Sequence, residues 1–169
     1  MVAPWAITAS VSTVTSQILQ LRSIARHGCT NVSFDHQVWC LLSYCCLAAA
    51  SLSYYLSIII REYGNRNPTW PAAQVDPILL ALDMLGICIS ARILFLLTRH
   101  RKHEPFSPES KGLIVIIVAV GVLILYQVVK HRMALFWIDM VDYIWFVSIL
   151  VWPWRLAPQI VINWFFRTS

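Results

Sequence analysis

The sequence is poor in charge. Only 12% of its 169 residues are Asp, Glu, Lys or Arg, against about a quarter in a soluble domain, which excludes an ordinary water-exposed globular surface. It has five cysteines but no Cys-x-x-Cys pair; Cys29, Cys40, Cys45, Cys46 and Cys88 lie mostly inside apolar runs. A free thiol there behaves as a small hydrophobe, so neither a disulfide framework nor a zinc site is expected. The opening "MVAPWAITASVSTVTSQILQL" lacks the basic start of a signal peptide and stays apolar past any cleavage point. His27, His36, His100, His103 and His131 fall in polar links without ligand spacing, where a histidine is usually solvated. An enzyme, a resident metal and a cofactor are therefore not expected.

What the chain has in quantity is apolar surface, with 59% hydrophobic residues and eight tryptophans. A helix crossing a bilayer needs about 20 mostly apolar residues, and five segments near that length stand out at about 5–24, 38–60, 78–98, 112–129 and 143–166. The expected fold class is an all-α integral membrane protein with about five transmembrane helices and the lipid bilayer as its main partner. The first polar link is "RSIARHGCTNVSFDHQ"; the second, "REYGNRNPTWPAAQVDP", is rich in loop-forming Pro, Gly and Asn. The third, "RHRKHEPFSPESK" at 99–111, is the most basic.

Placing links one and three with the C-terminus collects Arg22, Arg26, Arg99, Arg101, Lys102, Lys111 and Arg167, against Arg61, Arg66, Lys130 and Arg132 on the other side. That bias puts the N-terminus outside or in a lumen and the C-terminus in the cytosol. Topology thus accounts for the net charge of +5, and nucleic acid is not expected as a partner. Asn31-Val32-Ser33 is a glycosylation sequon on the cytosolic side of this arrangement, so a glycan there would reverse it. Residues 130–142, which carry Asp139 and Asp142 among aromatics, read as an interfacial segment with both acids in headgroup water.

The fifth segment, "WPWRLAPQIVINWFFRTS" at its end, interrupts an apolar run with polar residues. Arg155, Gln159 and Asn163 are spaced by four and drift only about 80° around a helix, with Ser148 about 20° from Arg155. An unpaired cation at mid-bilayer costs roughly 2.5–3.5 kcal/mol, so this stripe has to face protein or a watery cavity. Pro153 and Pro158 lack an amide hydrogen and crowd the carbonyls of Ile149 and Trp154. Asp83 is the carboxylate placed well inside a segment. It offers a counter-charge for Arg155 or a proton-coupling group raised in pKa by burial, or it lies shallow and snorkels. In the first segment Ser10, Thr13, Gln17 and Gln20 form a second polar stripe. Gln17 stands in register with Gln159, and Thr13 with Arg155.

The string "APQIVINWFFRTS" resembles the signature of PQ-loop proteins, a Pro-Gln pair, then Asn, a basic residue and Ser, at Pro158, Gln159, Asn163, Arg167 and Ser169. "SQILQLRSIARHG" is similar to a degenerate first copy that keeps Gln17, with Ser16 in place of Pro and Leu21 in place of Asn. That family includes cystinosin, vacuolar basic amino-acid exporters and, more distantly, the SWEET sugar transporters. The resemblance implies two parallel three-helix bundles joined by a linker helix, with a PQ pair in the first helix of each. On this chain it makes 1–98 the first bundle, 99–111 a cytosolic loop, 112–129 the linker and 143–169 the first helix of a second, incomplete bundle. The chain is expected to be truncated after the fifth span, and Arg155 departs from the signature. The implied function is transport of a small polar solute, such as cystine or a basic amino acid, by alternating access across a vacuolar, lysosomal or other endomembrane. Gln17, Pro158, Gln159 and Asn163 would line or bend the path, and Asp83 would couple protons. The alternative is a non-transporting membrane subunit, in a homo- or hetero-oligomer that supplies the missing helices.

Overall fold

The computed structural model describes residues 4–27, 32–69, 71, 75–100, 106–130, 135–156, 160 and 164. The described residues form six helices, α1 (Pro4–His27), α2 (Phe34–Ser53), α3 (Ser57–Arg66), α4 (Pro77–His100), α5 (Pro108–Val129) and α6 (Trp137–Trp154). No strand occurs among the described residues. Two of them, α4 and α5, are long and apolar enough to cross a membrane, and the bent pair α2 and α3 meets the same test together.

The helix ends follow local chemistry. Ser33 caps α2, its side chain accepting from the His36 amide at 3.3 Å, and Ser107 caps α5, accepting from the Ser110 amide at 3.2 Å. Such a cap satisfies one of the amides that the first turn of a helix leaves free. Asp35 then ties the two capped ends together: its carboxylate accepts from the Ser110 hydroxyl at 2.9 Å and the Ser107 amide at 3.3 Å. The Trp39 indole donates to the same Ser110 hydroxyl at 3.1 Å.

Helix α2 is the centre of the packing. One side meets α4, which also packs on α1, and another side meets α6; α4 and α6 pack on α2 rather than closely on each other. Val14, Cys40, Tyr44, Ile89, Ile93 and Leu97 form the core shared by α1, α2 and α4, while Trp39 fills the space against Val147 and Val151 of α6. Gly86 permits the close approach of α4 to α2, since a Cβ there would lie 2.7 Å from three ring carbons of Tyr44. Small residues at helix seams are a common means of bringing apolar helices together. Helix α5 leans on α6 and exposes Val115, Ile116, Val118, Val122 and Leu123.

Two elements differ from the sequence reading. The apolar run over 38–60 is not one straight helix: it breaks at Tyr54–Leu56, and α3 leaves α2 at 82°. The reason is tertiary. The Glu62 carboxylate accepts the Ile138 amide at 2.9 Å, and Arg66 donates twice to Asp139, each bond 2.7 Å, so α3 is latched across the start of α6. Residues 137–142, read as a separate interfacial stretch, are instead the first turns of α6. Asp139 starts that helix by accepting the Phe136 amide at 2.6 Å, as acidic residues in a first turn commonly do.

Candidate functional site

Helix α2 presents polar side chains to both neighbours. Toward α1, Gln17 Nε2 donates to Cys40 Sγ at 3.2 Å, and one turn away Gln37 Nε2 donates to Gln20 Oε1 at 2.7 Å. One turn the other way, the Tyr44 hydroxyl approaches Thr13 without a hydrogen bond of normal geometry. The rungs step in opposite senses along the two helices, as an antiparallel seam requires. Residues three or four apart share a helix face, so the polar stripe Thr13, Gln17 and Gln20 is turned onto α2.

Toward α6, Ser43 reaches the Ser148 carbonyl at 3.5 Å, and the His36 ring bonds through Nδ1 to the Arg155 carbonyl. Because a carbonyl only accepts, Nδ1 carries the proton and Nε2 of a neutral ring is left as an acceptor. That Nε2 lies 3.6 Å from Cys40 Sγ. A chain of hydrogen bonds therefore runs Gln17 to Cys40 to His36 to the Arg155 carbonyl, crossing from α1 through α2 to the end of α6. Arg155 caps α6, its amide donating to the Val151 carbonyl at 3.0 Å.

The Arg155 side chain is 7% exposed and stacks over the Trp152 ring, 4.7 Å from its centroid. It lies beside the Cys40 thiol and the Tyr44 hydroxyl, close enough to act on both electrostatically. Gln17, at 5%, and His36, at 7%, are equally enclosed. Several buried oxygens in this interior have no hydrogen-bond partner, among them Gln17 Oε1, Tyr44 Oη, Gln37 Oε1 and, one turn along α4 from Gly86, Ser90 Oγ. Buried polar atoms are nearly always paired, with protein or with ordered water.

Of the residues singled out from sequence, Gln17 and Arg155 are both brought to Cys40. Asp83 is buried at 6% on α4 but makes neither an ion pair nor a hydrogen bond with Arg155 or any other described residue. That alternative for Asp83 is not formed: α2 stands between the helices that carry the two groups. Pro158, Gln159 and Asn163 lie outside the described residues. His36, Cys40 and Tyr44 were passed over, the first as a solvated link residue and the second as a small hydrophobe. Their spacing of four was the available signal.

A concave region lies at the other end of α2, a cavity of about 520 Å³ lined by Tyr54, Tyr63, Asp76, Asp142 and Trp145 among others. Beside it sits the Arg66–Asp139 pair, whose guanidinium also covers the Phe136 ring at 5.3 Å. Hydrogen bonding from Arg66 holds the Asp139 carboxyl below its usual range. Among the described residues no three His, Cys, Asp or Glu side chains come together to hold a metal ion. The sequence matches no protein-family model and no curated protein.

Proposed function

We propose that the chain is an integral membrane protein of the PQ-loop type that moves a small polar solute by alternating access. In this reading α1, α2 with α3, α4, α5 and α6 supply the spans. The N-terminus faces a lumen or the outside, the C-terminus faces the cytosol, and the home membrane is a vacuole, lysosome or related compartment. The observation that carries the reading is the buried hydrogen-bond chain from Gln17 through Cys40 and His36 to the end of α6, with unpaired polar oxygens around it. A purely structural interior leaves few such atoms. An interior that exchanges bonds with a passing solute has to keep donors and acceptors in reserve.

The apolar exterior supports the same reading. Trp145, Phe146, Ile149 and Trp152 of α6 and most of α5 are exposed, a surface suited to lipid and costly in water. Gln17 has a role in this account because it holds the first link of the chain. Flux of radiolabelled glycine, cystine and lysine into proteoliposomes reconstituted with the purified protein is the test. Wild type is expected to move at least one of them, with Gln17→Ala losing about tenfold or more, the equivalent of one buried hydrogen bond of about 1.4 kcal/mol. Absence of movement with correctly folded protein would sink transport and leave the membrane-subunit reading.

A further inference from the structure

Among the described residues, no opposite charge pairs with Arg155. Its side chain is almost wholly enclosed, yet the ion pair found among the described residues is Arg66–Asp139. Asp83, the buried acid of α4, is held away from it by α2. The groups that flank the guanidinium are all neutral: the Trp152 ring, the Cys40 thiol and the Tyr44 phenol. A buried ion left without an opposite charge is among the most costly arrangements a protein can hold. Gln17 Oε1 has no partner among the described residues, and its side chain touches the same thiol.

We propose that Arg155 is the docking site for the carboxylate of a small solute, with Gln17 Oε1 receiving a donor on the carbon next to that carboxylate. The inference rests on the reading of this interior as a solute path. A guanidinium presents a planar fork of N–H donors that matches a carboxylate through two parallel bonds, and the Arg155 fork lies over the Trp152 ring. Gln17 Nε2 is committed to Cys40, so its oxygen is left as an acceptor and selects an ammonium or hydroxyl. The Tyr44 hydroxyl both donates and accepts and completes the shell. Together they specify a short 2-amino or 2-hydroxy carboxylate. A lone amine would meet an unopposed cation and be repelled.

The test is thermal unfolding of the full chain in detergent micelles with glycine, glycolate, ethylammonium chloride or sodium chloride at equal ionic strength. Glycine and glycolate are expected to raise the melting midpoint saturably, by about 4 °C or more, since a ligand bound only by the folded form stabilises it. Ethylammonium and sodium chloride are expected to leave it unchanged. In Arg155→Gln the carboxylate shift disappears, and the empty variant melts no lower than wild type because an unpaired buried charge has gone. Arg155→Lys keeps the charge without the fork and weakens the apparent affinity about tenfold or more. Equal effects of ethylammonium, a chloride shift that vanishes in Arg155→Gln, or a glycine shift that survives in Arg155→Gln would each overturn the assignment. Solute flux that persists in Arg155→Gln removes this assignment and leaves transport standing; carboxylate binding without flux does the reverse.

Discussion

Two arginines in this chain live by opposite rules. Arg66, at the end of α3, is exposed, donates twice to Asp139 and lies over the Phe136 ring. Arg155, at the end of α6, is enclosed and has an aromatic face but no acid among the described residues. The first arrangement joins α3 to the start of α6 with little net energy, since exposed pairs contribute about 0.2–1 kcal/mol. The second costs stability wherever no partner arrives.

The enclosed region depends on close packing, so its largest expected sensitivity is steric. Gly86→Ala places a methyl 2.7 Å from the Tyr44 ring, and Tyr44 is only 4% exposed. Overpacking of this kind costs about 1–3 kcal/mol, visible as a lower melting midpoint in micelles. The double variant with Tyr44→Leu recovers part of the loss. A Gly86→Ala protein that melts like wild type would mean that α2 and α4 are not clamped together at the ring.

The exposed region predicts a smaller effect with a defined pH dependence. Because Arg66 lowers the Asp139 pKa, the pair stabilises fully at pH values above the ordinary carboxylate value of about 3.9. That contribution is lost as pH falls through the depressed value, when the folded protein also takes up the proton. Arg66→Gln is therefore expected to lower stability by about 0.2–1 kcal/mol at neutral pH, with the gap from wild type constant down to about pH 5 and closing below about pH 4. High salt narrows it as well, since exposed pairs are screened. A gap that widens on acidification would contradict the pairing.

Much of this contrast was legible in the sequence and part of it was not. The apolar runs that became α1, α4 and α5 were readable because length and composition alone define such helices. The stripe containing Gln17 was readable from its spacing. The break between α2 and α3 was not: "SYYLSIII" contains no Pro or Gly, and the bend is held by Glu62 and Arg66 reaching residues far along the chain. The roles of His36 and Cys40 were hidden for a related reason. A histidine near a polar link looks solvated until Ser33 caps it into a helix and α6 ends against its ring. A partnership of Asp83 with Arg155, one of the alternatives the sequence leaves open, depends on helix order, which periodicity does not encode.

Cys40 offers the most direct measurement, because it sits in the middle of the hydrogen-bond chain and is 0% exposed. With Cys29, Cys45, Cys46 and Cys88 replaced by Ser, the remaining thiol can be challenged in sealed vesicles with a small, membrane-impermeant, negatively charged methanethiosulfonate. A solute path that opens by turns predicts slow but complete labelling of Cys40, with glycine slowing the reaction saturably. A dry, purely structural interior predicts none, and a folded protein whose Cys40 never reacts would contradict the account.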